Sequence, residues 1–338
     1  QRVGAKIASL VGAAPHEVLV ADSTSVNLFK AIVAALALRP ERTTILSEPG
    51  NFPTDLYMIE SAIAVTGGRH RLRLVPREAL VEAIDHDTAL VLLTHVHYAT
   101  AAMWDLAGVT RAAHARGALT CWDLSHSTGA VPVALGDAAA DFAVGCGYKY
   151  LNGGPGAPAF LFVAERHQAA APSPLGGWMG HARPFAFVDG YEPAPGITRF
   201  ACGTPPILSL AALEVGVDLL LEVDRDALYA KGQALVAAFL ARVEARCAGH
   251  GLTRVGPPPG APRGSHVSLA HPQAYEIMQA LIAHGVVGDF RAPDLLRFGF
   301  TPLYTSFADV GRAADTLAAV LQQETWRDPR FAVRQAVT

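Results

Sequence analysis

The chain has 338 residues, 51% hydrophobic and 17% charged, enough apolar material for one large domain or two ordinary ones. A net charge of −3 and an isoelectric point near 6.5 speak against nucleic acid or an anionic membrane surface as the main partner. No apolar run reaches the roughly 20 residues that a bilayer crossing takes. The four cysteines, Cys121, Cys146, Cys202 and Cys247, show no CxxC spacing, a pattern of free thiols that favours the cytoplasm.

Val3, Ile7, Leu10 and Val11 give an amphipathic helix at the very start. The chain opens on Gln1 rather than Met, which suggests a preceding segment. From Glu17 to Val163, β-rich runs alternate with helical patterns. The strand candidates are Val18–Ala21, Thr43–Ser47, Leu72–Val75, Ala89–Val96, Leu119–Leu124, Asp141–Cys146 and Ala159–Val163. Helices are expected at Thr24–Leu38, Thr54–Val65, Pro76–Ile84 and Leu106–Arg116. Such alternation predicts an α/β domain with a mostly parallel sheet covered by helices, whose ligands sit at the carboxyl ends of the strands.

A long Pro- and Gly-rich passage, Ala171 to Pro206, follows, and long connections of this kind are more often functional than accidental. Two helices come next, about Ile207–Glu222 and Arg225–Ala248. The Pro-rich Val255–Arg263 then reads as a linker into a smaller α+β unit. That unit has strands at His266–Ala270, near Val286–Phe290 and at Leu295–Phe300, with helices at Tyr275–His284 and Phe307–Gln322. The expected organisation is a large domain over 1–250 and a small C-terminal domain over 251–338.

The stretch Trp122–Gly156 concentrates the chemistry. Asp123 ends one apolar run and Lys149 follows another, so a carboxylate and a primary amine meet at one sheet edge. Pyridoxal phosphate asks this of a protein: an acid to keep its ring nitrogen charged and a lysine to form an imine. Taken alone, Lys149 would be a surface lysine and Asp123 a turn former. His126 and the Gly153-Gly154-Pro155-Gly156 turn favour the cofactor. Thr24 and Ser25 open a helix whose N-terminus can take a phosphate, although N-capping by itself explains such residues. Phe52 and Asp55 stand at another strand-to-helix junction, where an aromatic could stack on a flat ring or simply start a helix. Thr94 ends a strand as a polar contact for that ring. His95 and His97 share a face, but no further ligand cluster accompanies them, so no metal is expected. Trp178 and Thr204 lie in the Pro/Gly passage, where the tryptophan packs against a distant partner or anchors its loop. Arg297, inside an apolar strand, requires either a substrate carboxylate or an internal ion pair.

These motifs together resemble the kynureninase family, pyridoxal-phosphate enzymes of fold type I. The resemblance rests on FPTD (Phe52–Asp55), LTHVHY, WDLSHSTGAVPV, GYKYLNGGPG, GWMGH, CGTPPI and LRFGFTPLY, and it spans essentially the whole chain. It implies the aspartate-aminotransferase-like architecture, a seven-stranded sheet with a small C-terminal domain. It implies hydrolysis of L-kynurenine to anthranilate and L-alanine, and plain kynurenine over its 3-hydroxylated form, since Thr204 replaces an Asn. Lys149 becomes the Schiff-base lysine and Asp123 the partner of the pyridinium. Thr24, Ser25 and Tyr148 bind phosphate, and Phe52 stacks on the ring. Thr94, Asp55 and His126 line the pocket, and Arg297 takes the substrate carboxylate. Tyr148 relays the last proton. Trp178 and Thr204 are expected to reach the site of the neighbouring subunit in a homodimer. Two departures stand out: the family's N-terminal segment is not seen, and Met179 replaces an aromatic. A cysteine desulfurase or selenocysteine lyase is the alternative on the same fold; it would need a nucleophilic Cys near Arg297, and none lies near it in sequence.

Overall fold

A computed structural model describes residues 1–334 and divides them into two compact units, Gln1–Val96 with Trp104–Val223, and His97–Met103 with the described residues from Asp224 on.

The first unit runs α1 (Arg2–Leu10), β1 (Val18–Val20), α2 (Thr24–Ala37), β2 (Thr44–Ser47), α3 (Pro53–Val65), β3 (Arg71–Leu74) and β4 (Thr88–Thr94). It continues through α4 (Leu106–Ala115), β5 (Leu119–Asp123), β6 (Phe142–Gly145), β7 (Phe160–Val163), α5 (Glu165–Gln168) and α6 (Ile207–Leu221). Seven strands form one sheet in the order β1-β7-β6-β5-β4-β2-β3. Only β7 runs against its neighbours; the pairs β2–β3, β2–β4, β4–β5 and β5–β6 are parallel. The central strands are buried along their whole length, as a sheet covered on both faces requires. Because β1 and β6 both oppose β7, the carboxyl ends of β1, β2, β4, β5 and β6 share one edge.

Helix α2 is the main cover. It starts where the Ser23 side chain accepts a hydrogen bond from the Val26 amide at 3.3 Å, a typical N-cap. Leu28, Ala31, Ile32, Ala34, Ala35 and Leu36 then bury against the sheet. The small alanines let the helix approach closely. At the amino end of β6, the buried Asp141 carboxylate gathers four partners from three elements, α4, β5 and α5. It accepts from the Thr120 amide (2.8 Å) and Arg166 (2.7 Å), and meets His114 (2.8 Å) and His167 (2.7 Å). These partners hold the acid well below its ordinary carboxylate range against the opposing effect of burial.

The helix expected over Pro76–Ile84 is only a 3₁₀ turn at Arg77–Ala79. Its residues carry a single buried contact layer, Leu80 and Ile84, too little to fix further turns. The Pro/Gly passage holds two further 3₁₀ turns, Trp178–Gly180 and Gly196–Phe200.

The second unit consists of α7 (Arg225–Arg246), β8 (Thr253–Val255), β9 (His266–Ala270), α8 (Ala274–Ala283), β10 (Asp289–Arg291), β11 (Leu295–Gly299) and α9 (Phe307–Gln322). Its antiparallel sheet has the order β10-β11-β9-β8. Leu235, Val236, Phe239 and Val243 of α7 share a core with Val267, Leu296, Phe298 and Leu317, and Phe239 packs its ring 4.9 Å from that of Phe298. This shared core puts α7 in the second unit, so the unit begins near Asp224, ahead of the expected boundary at 250/251. The edge strand β8 was not foreseen; it is three residues long and largely exposed.

Candidate active site

The carboxyl edge of the sheet collects the polar residues of the first unit. Thr94 ends β4 and Asp123 ends β5, directly opposite each other in the parallel ladder. Both are buried. Asp123 Oδ1 accepts the Ser125 amide at 2.8 Å, which turns the chain towards His126. Beyond β6, the lysine loop brings Lys149 Nζ to 3.1 Å from His126 Nε2, and the Tyr148 ring centroid lies 5.6 Å from the same nitrogen. Tyr148 itself is half exposed.

Glycines make this loop possible. A Cβ on Gly147 would lie 2.3 Å from the Pro158 carbonyl oxygen, and one on Gly153 would lie 2.8 Å from the Gly147 oxygen. From the far side, Gly216 of α6 approaches so closely that a Cβ there would meet the Leu151 oxygen at 2.3 Å. The loop is therefore pressed between β7 and α6 by backbone-to-backbone contact.

Asp55, in the first turn of α3, is the second buried acid. Its Oδ2 lies 3.0 Å from Thr94 Oγ1, while Oδ1 is buried without a hydrogen-bond partner. Burial raises its carboxyl well above the ordinary value, and the nearby Asp123 raises it further. Burial likewise raises Asp123, with the Lys149 ammonium pulling it back. Two buried acids and an orphaned carboxylate oxygen make an environment suited to a bound cation. A protonated pyridine ring fits that requirement.

At the opposite end of the edge, Thr24 and Ser25 are the first two residues of α2, half-buried and free of capping duty because Ser23 performs it. Their amides head the helix dipole, the arrangement that takes an anion. Phe52 is the N-cap of α3, with Pro53 after it. The structure thus brings Asp55, Thr94, Asp123, His126, Tyr148 and Lys149 together, with Thr24, Ser25 and Phe52 on the same edge.

Trp178 and Thr204 are exposed, and neither hydrogen-bonds to the Lys149 cluster. The Trp178 indole meets Phe185 edge-on at 5.6 Å. Arg297 belongs to the second unit. Its Nε and Nη2 hold Asp289 (2.9 and 2.5 Å), and its Nη1 donates to the Tyr98 carbonyl at 2.8 Å. The internal ion pair is therefore real. Asp289 covers only one edge of the guanidinium fork, so donor capacity remains on the other.

Sequence reasoning missed Asn51 and weighed His95 only as a metal ligand. Asn51 Oδ1 accepts from Thr94 Oγ1 at 2.5 Å, fixing the hydroxyl between it and Asp55. His95 lies 2.9 Å from Ser127 Oγ, and burial lowers its pKa to about 4, so it is a neutral brace behind the Asp123 turn. Asn51 precedes the FPTD motif by one residue, and no spacing marked it.

Comparison with known proteins places the chain in a family. A kynureninase from Burkholderia mallei (strain SAVP1) is 51% identical over 343 residues, covering 100% of this chain and 82% of that protein. One from Pseudomonas fluorescens is 50% identical with the same coverage. The chain belongs to the kynureninase family. The family's description "Kynureninase C-terminal domain" matches residues 228–317, and that stretch begins inside α7, consistent with the helix belonging to the second unit. Among solved structures, a cysteine desulfurase from Thermococcus onnurineus NA1 superposes with a TM-score of 0.83 at 19% identity, covering 95% of this chain and 83% of that one. A variant of C-DES with glycine covalently linked to its pyridoxal phosphate gives 0.78 at 17%, covering 94% and 86%. At that identity the likeness is one of fold, and the fold is that of the type I pyridoxal-phosphate enzymes.

Proposed function

We propose that this chain, as a kynureninase, hydrolyses L-kynurenine to anthranilate and L-alanine with pyridoxal phosphate, using the residues of the carboxyl edge. The observation that carries the residue assignment is the buried Asp55–Asp123 pair beside Lys149, two acids whose charge calls for a bound cation. Pyridoxal phosphate, when bound, supplies an electron sink for the carbanion formed at the substrate Cα.

The chain's own residues do the rest. Asp123 holds the charge on the ring nitrogen. Asp55, Thr94 and His126 line the ring, Phe52 stacks on it, and Thr24, Ser25 and Tyr148 hold the phosphate. Lys149 anchors the cofactor and, once its amine is released, takes the substrate Cα proton. His126 Nε2, 3.1 Å away, orients that amine. Tyr148 delivers the proton that completes alanine. Arg297, its fork fixed by Asp289 and the Tyr98 carbonyl, takes the substrate α-carboxylate on its remaining donors. Thr204 favours plain kynurenine over the 3-hydroxylated form.

A homodimer is part of this reading. Helix α6 is apolar on nearly every side (ILSLAALEVGVDLLL), yet Ile207, Leu208 and Val215 are 64%, 88% and 63% exposed. A helix apolar all round belongs in a buried setting, and a second subunit supplies one. Trp178 and Thr204 then serve the partner's site. The free cysteines fit the cytoplasm, and no helix among the described residues is long and apolar enough to cross a membrane.

The test is direct. Purified protein supplied with pyridoxal phosphate and kynurenine should release fluorescent anthranilate. Sulfide or selenide from cysteine analogues, with no anthranilate, would favour the desulfurase alternative instead. That alternative has little support in the thiols, since burial raises Cys121, Cys146 and Cys247 above their ordinary values. Lys149→Ala should remove the borohydride-reducible absorbance of the bound cofactor; its persistence refutes the lysine assignment.

A further inference from the structure

One charged residue of the first unit lies outside the roles above. Lys30, two turns into α2, is fully buried, an expensive place for an ammonium unless it is paired and hydrogen-bonded. Its Nζ forms an ion pair with Asp22 and donates to the Phe200 carbonyl at 2.7 Å. Asp22 immediately precedes the Ser23 cap and the Thr24-Ser25 phosphate turn, and its backbone is left-handed (φ +53°), a strained conformation for a residue other than glycine. The Asp22 carbonyl also accepts the Ala159 amide at 2.9 Å. Asp22 is thus fixed by its side chain and its backbone at the entrance to α2.

A carboxylate next to a phosphate turn is electrostatically wrong for a dianion. Resting on the assignment of phosphate to Thr24 and Ser25, we propose that Lys30 is a positioning residue for the cofactor phosphate: it neutralises Asp22 and holds it in the conformation that presents the α2 amides. Its bond to the Phe200 carbonyl ties the same turn to the backbone leading to Thr204. A methionine would fill the same volume without the charge.

The experiment compares two ligands on the apoprotein of the full chain, pyridoxal 5′-phosphate and pyridoxal, which lacks the phosphate, with dissociation constants read from cofactor absorbance. Lys30→Met should weaken pyridoxal phosphate about tenfold or more, the scale of an uncompensated charge at short range, and leave pyridoxal unchanged. The double variant Lys30→Met with Asp22→Asn should recover most of the loss. Asp22→Asn alone, whose amide oxygen can still accept from the buried Lys30 ammonium, should bind pyridoxal phosphate as tightly as wild type or tighter; it decides the matter if Lys30→Met does not fold. Equal weakening of both ligands by Lys30→Met, or phosphate-specific weakening by Asp22→Asn alone, overturns the proposal. A wild-type chain that takes up neither ligand overturns the cofactor assignment itself, and this inference with it.

Discussion

Gly216→Ala sets two effects of known size against each other. In the middle of α6, alanine should stabilise the helix by about 1 kcal/mol through its better propensity. Gly216 has an ordinary helical backbone, so no dihedral penalty arises. The added methyl carbon, however, would sit 2.3 Å from the Leu151 oxygen, 2.8 Å from the Asn152 carbonyl carbon and 2.9 Å from the Asn152 oxygen, where ordinary contact begins near 3.4 Å. The lysine loop or the helix must therefore retreat by about an ångström, and all three obstacles are backbone atoms that cannot rotate away. Overpacking of this kind costs about 1–3 kcal/mol, so the net change should be destabilising or near zero, never the full propensity gain. The loop that retreats carries Lys149, and displacements of about 1 Å in such a site cost as much as 100-fold in rate. Urea denaturation of the apoprotein gives the stability, and anthranilate release gives the rate. Expected are a lowered or unchanged midpoint and a fall in kcat of at least tenfold. A variant stabilised by about 1 kcal/mol with wild-type turnover would show that α6 does not press on the loop and would refute the reasoning.

Two further outcomes follow from the site and from α6. Asp55 has a raised carboxyl in the folded chain, so folding retains a proton that unfolding releases; this stabilisation is complete below the ordinary value of 3.8 and is lost as pH rises through the raised value. In the apoprotein, Asp55→Asn should therefore flatten the decline of stability with rising pH, read as urea midpoints at several pH values above 4; parallel curves for the two proteins would be evidence against it. Leu208→Glu, at a position 88% exposed in the single chain, should dissociate the proposed dimer in analytical ultracentrifugation and abolish turnover while leaving the circular dichroism spectrum intact. A variant that remains dimeric places the subunit contact elsewhere.

Much of the fold could be read from the chain because its signals are local. The seven strand positions of the first unit match within a residue or two, since all but β3 are short apolar runs, and β3 (RLRL) alternates arginine with leucine. The expected start of α2 at Thr24 holds, because Ser23 caps it. The lysine, Asp123 and His126 could be placed together because strand ends in a parallel sheet share one edge. What escaped depends on contacts made across the fold. The second unit's claim on α7 comes from Phe239 meeting Phe298 and Phe300, residues far along the chain. Asn51 and His95 work through partners that only folding supplies. Of the two readings the sequence left open for Arg297, the structure shows the internal ion pair, with Asp289 on one edge of its fork.

The Asp141 cluster has a consequence for how this unit is fastened. All four cysteines are free, so no covalent link closes any loop. Yet the chain from His114 to His167 is drawn shut at a single carboxylate, with Thr120 and Arg166 gripping it as well. It is a staple made of charge in place of sulfur, and unlike a disulfide it constrains only the folded chain. A disulfide yields to a reductant; this one yields to acid. Since the Asp141 carboxyl lies below its ordinary value of 3.8, its contribution is present above that pH and is released as the solution is acidified further. Near neutrality the acid stays ionised, and the fastening holds whether or not a reductant is present.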